Sequence, residues 1–116
     1  QLIKKGDMSK INKAKNVKTF SNVEQACKNT DCVMTDTWFS MGQKISESKR
    51  KLLKPFQVNN KLLSVSKNKS IFMHCLPAHR GEEIDTNILE HSKSVVWDEA
   101  ENRLHTQKAI LNWCLK

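Results

Sequence analysis

Short candidate strands alternate with longer amphipathic stretches along this chain, and this alternation constrains the fold more than any other feature. The candidate strands are residues 17–20, 32–35, 70–73 and 94–97, which are short and rich in β-branched, aromatic or other apolar side chains. Strands that alternate with helices favour a parallel sheet with helices packed against it. We therefore expect an α/β fold, a three-layer sandwich with a mainly parallel sheet flanked by helices.

Helical spacing of apolar residues occurs between the candidate strands. Ser21, with Glu24 three residues later, matches a capping box at the start of one helix, and Pro55 limits another near its end. Asp85 and Thr86 are candidate caps for a later helix. The predicted helices cover residues 8–14, 22–28, 45–56, 58–65, 83–91 and about 102–115. In the last of them, the residues available for burial are Leu104, Ala109, Ile110, Trp113 and Cys114.

Size, charge and hydropathy exclude several classes of protein. The 116 residues suffice for one domain at most, and 20 Lys and Arg against 12 Asp and Glu give a formal charge of +8. The lysines are scattered without interleaved aromatic residues, so we expect no nucleic-acid partner, although a small anionic substrate would suit the positive field. No stretch approaches the ~20 apolar residues of a membrane span, so we expect no membrane association. The polar start lacks an initiator Met, which indicates a piece of a longer protein, and we expect a cytoplasmic location.

The cysteine pattern gives little support to metal or disulfide chemistry. The four cysteines are Cys27, Cys32, Cys75 and Cys114. They form no CxxC pair, and we interpret them as free thiols in a reducing compartment. His74 and Cys75 are adjacent, and neighbours on an extended segment point to opposite sides, which disfavours a Cys–His nucleophile. A metal site of His74, Cys75 and His79 lacks an obvious fourth ligand, so we expect no metal.

Polar sequence directly follows three of the candidate strands, at residues 36–43, 74–81 and 98–103. Because ligands bind beyond the carboxyl ends of strands in open parallel sheets, we expect these segments to converge on one site. Each also has a structural interpretation, since Asp36 suits a turn or a cap and Cys75 suits buried packing. Acidic residues near the start of the last helix suit its dipole, whereas Arg103 does not, which makes Arg103 a candidate for anion binding.

Three motifs in these segments match one family, in the family's order. Residues 36–42, Asp-Thr-Trp-Phe-Ser-Met-Gly, resemble the Asp-x-Trp-x-Ser-Met-Gly loop of ornithine carbamoyltransferases. Residues 72–77 resemble their His-Cys-Leu-Pro motif, and residues 98–103 resemble the segment that ends in their phosphate-contacting Arg. The resemblance covers the chain from about residue 17 to its end. It implies a partial Rossmann-like, ornithine-binding domain.

The resemblance also implies which residues hold ornithine. Asp36 would bind the α-amino group, and Ser40 and Met41 would hold the amino-acid end, partly through backbone groups. The loop around Gly42 would close over ornithine. Cys75 would lie near the δ-amine and help to orient or deprotonate it.

A carbamoyl phosphate site is implied in the same way. Backbone carbonyl groups of Cys75 and Leu76 would contact the carbamoyl NH2, and Arg103 would contact carbamoyl phosphate. The catalytic residues would be Cys75, Asp36 and Arg103. The implied reaction transfers the carbamoyl group to the δ-amine of L-ornithine, giving L-citrulline and phosphate, and it needs no cofactor.

The chain also departs from the family pattern. The Ser-x-Arg-Thr-Arg phosphate motif and the His-Pro-x-Gln segment of the family's N-terminal domain do not occur. We therefore interpret residues 1–116 as the C-terminal part of the ornithine-binding domain, inactive alone, and expect a homotrimer for the complete enzyme. The alternatives are a carbamoyltransferase that acts on acetylornithine, succinylornithine or putrescine, and a non-catalytic fragment that binds an amino acid.

Overall fold

The computed structural model of the chain describes residues 14–39, residue 42 and residues 46–116. Its elements in chain order are α1 (Val23–Cys27), β1 (Cys32–Thr35), α2 (Glu47–Leu53), a short 3-10 helix (Lys54–Phe56), α3 (Asn60–Val65), β2 (Ile71–His74) and α4 (Val96–Cys114). The predicted helix at residues 8–14 lies, apart from Ala14, outside the described residues. Residues 17–20, predicted as a strand, form neither strand nor helix.

The two strands pair in parallel, in a register that sets Cys32 opposite Ile71 and Thr35 opposite His74. A third stretch of chain joins β2 at one point, where Phe72 N donates to Lys93 O at 2.7 Å and Val95 N donates to Phe72 O at 3.0 Å. Helices flank this small sheet, which confirms the predicted α/β class with a parallel sheet.

The prediction of a strand at residues 94–97 is wrong beyond its first residue. Only Ser94 forms a bridge to Phe72, because the chain already turns into α4 at Val96. Val96 is fully buried at this start. Its apolar side chain therefore anchors the first turn of a helix, a role that local sequence does not distinguish from a strand position.

The core lies on one face of the sheet. The side chains of Phe72, Ile84 and Ile88 have no exposed surface, and Leu63 is 1% exposed. Val33 on β1 points to the same core, whereas its neighbour Met34 is 59% exposed on the opposite face. This alternation follows from the two-residue period of a strand.

Two of the predicted helices form with shifted boundaries. The first is α1, whose cap is Asn22 rather than Ser21, because Asn22 Oδ1 accepts a hydrogen bond from Gln25 N at 2.9 Å. The predicted helix at 58–65 is shorter, since Val58 is in a bridge and Asn59 Oδ1 caps α3 by accepting from Leu62 N at 2.9 Å. The helix predicted at 45–56 is present from Glu47, preceded by the extended Ser46, and its last turn, which contains Pro55, is a 3-10 turn.

Residues 83–91 form no helix, contrary to prediction. Val58 N donates to Glu83 O at 2.9 Å, and Asp85 N donates to Val58 O at 2.8 Å, which forms a parallel bridge between Val58 and Ile84. The backbone groups that a helix would use are thus bonded to a distant segment. The side chain of Asp85 accepts from Thr86 N at 2.8 Å within a turn rather than capping a helix.

The long helix α4 begins at Val96, six residues before the predicted start of about 102, and ends at Cys114. The burial expected along it is wrong: Leu104 is 59% exposed, Ile110 53% and Trp113 79%, and Ala109 and Cys114 are also exposed. Beyond the buried Val96, these apolar side chains pack into no core formed by the described residues. None of the helices in the described part of the chain has the length and apolar content to cross a membrane.

Candidate functional site

Asp36 and Cys75 meet at the carboxyl end of the parallel sheet. Each is the first residue after its strand, and the register that pairs Thr35 with His74 brings them side by side. Cys75 Sγ donates to Asp36 Oδ1 at 3.1 Å, and the same oxygen accepts from Thr37 N at 2.7 Å. The two residues singled out from different motifs therefore form one polar pair, open to solvent on the Asp36 side.

The hydrogen bond between these groups shapes their protonation. The thiol donor lowers the pKa of Asp36, with further help from the backbone N–H of Thr37. The same bond, followed by burial, raises the pKa of Cys75 above that of an ordinary thiol. The pair is thus an ionised carboxylate with a protonated thiol. A thiol of this kind suits orientation of a substrate amine better than removal of its proton.

Helix α4 approaches the pair from a third direction. Arg103 Nη2 donates to the carbonyl oxygen of Cys75 at 2.8 Å. One turn earlier, Glu99 Oε2 accepts from the backbone N–H of His74 at 3.0 Å. The helix therefore holds the backbone N–H of His74 and the carbonyl oxygen of Cys75, one on each side of the peptide bond between them. The segments after β1, after β2 and around the start of α4 converge, as the motif positions predicted.

His74 and Glu83 form a buried pair behind the thiol, and neither was among the predicted site residues. Both side chains are completely buried, and His74 Nε2 lies 3.4 Å from Glu83 Oε1. His74 Nδ1 accepts from Leu76 N at 2.9 Å, which places the ring proton on Nε2, facing the carboxylate. Glu83 Oε1 also accepts from His79 N. The available sequence signal was the two-residue strand period, which puts His74 on the buried face with Phe72.

Leu76 occupies an unusual backbone conformation beside the site. Its φ is +53°, in the left-handed region that a residue with a branched side chain rarely adopts, and the peptide bond to Pro77 is cis. The hydrogen bond from Leu76 N to the His74 ring holds this turn. Positive φ at a bulky residue is typical of functional segments.

Two residues expected to hold ornithine, Ser40 and Met41, lie outside the described residues. Gly42, next to them, has a φ of +83°, a conformation that glycine adopts without strain.

A compact set of metal-ligating side chains is His79, Glu82 and Glu83, whose donor atoms lie within 4.8 Å of one another. It differs from the set of His74, Cys75 and His79 weighed from the sequence. Glu82 is paired with Arg50 at 2.7 Å, and Glu83 accepts from the His79 backbone. These carboxylates therefore already have partners in the fold.

Comparison with known proteins gives a consistent match. The family model described as aspartate/ornithine carbamoyltransferase, Asp/Orn binding domain, matches residues 2–114. An ornithine carbamoyltransferase of Rhodopseudomonas palustris is 60% identical over 92 residues, 79% of this chain and 30% of the relative. One from Ruthia magnifica is 52% identical over 103 residues, 88% of this chain and 34% of the relative. The chain thus spans about a third of the length of the curated relatives that it matches.

Solved structures are similar over the same region. The ornithine carbamoyltransferase of Pyrococcus furiosus superposes with a TM-score of 0.72 and 52% identity, covering 78% of this chain and 29% of that one. The ornithine carbamoyltransferase of Thermus thermophilus superposes with a TM-score of 0.79 and 34% identity, covering 97% of this chain and 36% of that one.

Proposed function

Because this chain belongs to the aspartate/ornithine carbamoyltransferase family, matching its Asp/Orn binding domain, we propose that it is the ornithine-binding part of an ornithine carbamoyltransferase. The reaction is transfer of the carbamoyl group of carbamoyl phosphate to the δ-amine of L-ornithine, with L-citrulline and phosphate as products. The observation that carries this proposal is the convergence of Asp36, Cys75 and Arg103, one from each family motif, with Asp36 and Arg103 each hydrogen-bonded to Cys75.

The Asp36–Cys75 pair supplies the contacts for ornithine in this proposal. Asp36, with its lowered pKa, stays ionised and binds an ammonium group of the substrate, the α-amino group in the family pattern. Cys75 lies beside the δ-amine and orients it through a thiol that keeps its proton. Ser40 and Met41 complete the ornithine site at the amino-acid end.

Arg103 and the turn after Cys75 supply the contacts for carbamoyl phosphate. A guanidinium group has five N–H donors, so Arg103 can keep its bond to Cys75 O at 2.8 Å while other donors contact the phosphate. The carbonyl oxygens of Cys75 and Leu76 accept from the carbamoyl NH2. Arg103 thereby links the backbone that holds one substrate to the anion of the other.

The chemistry requires the δ-amine to lose a proton before it attacks, because its solution pKa is near ~10. The free amine attacks the carbamoyl carbon, a tetrahedral intermediate forms, and phosphate leaves with the electron pair of the broken C–O bond. The cationic donors of Arg103 stabilise the charge that develops on the oxyanion and on phosphate.

The chain works within a longer protein in this proposal. It corresponds to the C-terminal part of the ornithine-binding domain, and a separate N-terminal domain supplies the main carbamoyl phosphate site. The 79% exposure of Trp113 and the 59% exposure of Leu104 on α4 support such a partner domain. The 116 residues alone are then inactive, the complete enzyme is a homotrimer, and its location is the cytoplasm.

The test is citrulline formation from ornithine and carbamoyl phosphate by the protein expressed from its complete gene. Putrescine and N-acetylornithine serve as competing substrates. Asp36→Asn lowers kcat/KM by about a hundredfold or more, because it removes a charge that contacts substrate. Asp31→Asn is the matched control, since Asp31 lies at the other end of β1 and pairs with Lys67 at 2.7 Å.

Citrulline formation with a loss confined to Asp36→Asn supports both reaction and site. Turnover of putrescine or N-acetylornithine in preference to ornithine would identify the protein as a related carbamoyltransferase instead. Citrulline formation by residues 1–116 alone contradicts the assignment of a second domain to the site.

A further inference from the structure

The segments that follow β1 and β2 are linked at a second place, away from the Asp36–Cys75 contact. Phe39, three residues after Asp36, is only 7% exposed. Two cations of helix α2 lie over its ring, with Lys49 Nζ 5.1 Å and Arg50 Cζ 6.0 Å from the centroid. Cation–π contacts of this kind hold an aromatic side chain against a charged helix face. The start of α2 is therefore attached to the segment after β1.

Arg50 also reaches the segment after β2. Its Nη2 lies 2.7 Å from Glu82 Oε1, and the Glu82 side chain is 17% exposed. The backbone of Glu82 is fixed in turn, because Gln57 Nε2 donates to its carbonyl oxygen at 2.7 Å. The next residue is Glu83, the buried partner of His74, which precedes Cys75. The ion pair thus joins α2 to the segment that supports the thiol.

Helix α2 and the segments after β1 and β2 surround a shallow cavity of about 190 Å³. The residues that line it are Trp38, Arg50, Lys51, Lys54, Gly81 and Glu82. Trp38 comes from the segment after β1, and Gly81 and Glu82 from the segment after β2. Arginine suits this place, because its planar guanidinium can lie over a ring while an edge N–H binds a carboxylate. Lysine has no such face.

We propose that Arg50 is a positioning residue for the Asp36–Cys75 pair, acting by tying Phe39 to Glu82. Asp36 follows β1 and Cys75 follows β2, so each is the first residue of a loop and is fixed by a strand on one side only. The direct contact between them is a single hydrogen bond of 3.1 Å, open to solvent on one side. The Phe39–Arg50–Glu82 bridge closes a ring of contacts with that bond and limits how far the two loops separate. Its consequence for carbamoyl transfer rests on the proposed function.

The experiment measures the alkylation rate of each cysteine by iodoacetamide at pH 8, in the chain expressed from its own gene. Peptide mass spectrometry separates Cys75 from Cys27, Cys32 and Cys114, which act as internal references. The thiolate is the reactive form, and its fraction at Cys75 rises when Asp36 moves away. No turnover is needed, so this test and the proposed function can fail separately.

Arg50→Met is expected to raise the Cys75 rate about threefold, because a looser contact with Asp36 leaves a larger fraction of the thiol ionised. Asp36→Asn raises it further, and Arg50→Met adds nothing in the Asp36→Asn background, because Arg50 acts through that pair. Lys51→Met, with the same charge change on the same helix, leaves the rate unchanged. If circular dichroism shows that Arg50→Met fails to fold, Glu82→Gln replaces it and is expected to raise the Cys75 rate in the same way. Arg50→Lys is expected to give a Cys75 rate between those of the parent and Arg50→Met.

Two results would overturn the proposal. One is a Cys75 rate that does not change in either Arg50→Met or Glu82→Gln. The other is an increase of the same size in the Asp36→Asn background, or at Cys27 and Cys32, since it would mark a general loosening of the fold.

Discussion

Cys75 Sγ lies 3.1 Å from Asp36 Oδ1, although the two residues are 39 positions apart in the chain. Neighbouring parallel strands in register cause this proximity, because the pair Thr35–His74 ends both strands at the same level. The contact joins a carboxylate whose pKa is lowered to a thiol whose pKa is raised.

The first prediction concerns the pH dependence of Cys75. Its alkylation midpoint lies above the ordinary thiol value of about 8.5, and Asp36→Asn moves it down, because the carboxylate opposes ionisation of the thiol. The fold favours the protonated thiol, so the contact contributes stability below the ordinary thiol pKa, which is lost as pH rises through the raised pKa. Rates measured from pH 7 to 10 test this. A midpoint equal to that of an unstructured cysteine peptide contradicts it.

The second prediction concerns the buried His74–Glu83 pair. His74→Leu leaves Glu83 buried without its partner and lowers the free energy of unfolding by roughly 3 kcal/mol, the usual cost of breaking a buried pair. Urea unfolding measures it. Adding Glu83→Leu recovers part of the loss, since the second change removes the buried carboxylate that has lost its histidine partner at position 74. A loss below about 1 kcal/mol for His74→Leu would show that water or a rearrangement solvates Glu83.

The third prediction compares the two faces of the sheet. Phe72→Ala removes a completely buried ring and lowers the free energy of unfolding by about 3–5 kcal/mol. Met34→Ala, on the paired strand but 59% exposed, lowers it by less than about 1 kcal/mol. Denaturant midpoints of the two variants give the comparison. Similar losses for both would mean that the exposed face is covered in solution.

The fourth prediction concerns Lys93, which closes the carboxyl end of α3. Its Nζ donates to Leu63 O at 2.9 Å, Ser66 Oγ at 3.2 Å and Lys67 O at 2.8 Å. Lys93→Met removes these three bonds and lowers the free energy of unfolding by roughly 1–2 kcal/mol, since Leu63 O and Lys67 O keep Ser66 Oγ and Ser70 N as donors. The exposed Lys69, changed to Met, is the control and has little effect. Equal losses in the free energy of unfolding for the two variants would mean that the hydrogen bonds of Lys93 contribute no more than an exposed lysine does.

The location of the candidate site was predictable from sequence because its main residues sit in short, ordered motifs at strand ends. Asp36, Cys75 and Arg103 were each named from a motif, and the structure brings all three together. The supporting residues were not named. Glu83 lies in a segment whose sequence predicted only an amphipathic helix, and Glu99 was explained by the dipole of the last helix. Both nevertheless contact the site.

Secondary structure was predictable where local signals act alone and failed where distant partners compete. The strands β1 and β2 and the helical segments 22–28 and 58–65 follow from apolar runs and helical spacing within a few residues, although the structure caps the two helices with Asn22 and Asn59. Residues 83–91 carry helical spacing, but their backbone pairs with Val58, 26 positions before Ile84, and the side chains reach the core without a helix.

By itself, the sequence determined the parallel α/β class, the family and the three residues that meet at the sheet edge, because these depend on local periodicity and on motif identity. Only the tertiary structure decided which side chains support that edge. The His74–Glu83 pair, the Arg103–Cys75 bond and the Phe39–Arg50–Glu82 bridge each join segments that are distant in the chain. Such contacts depend on strand register and helix placement, which local propensity does not encode.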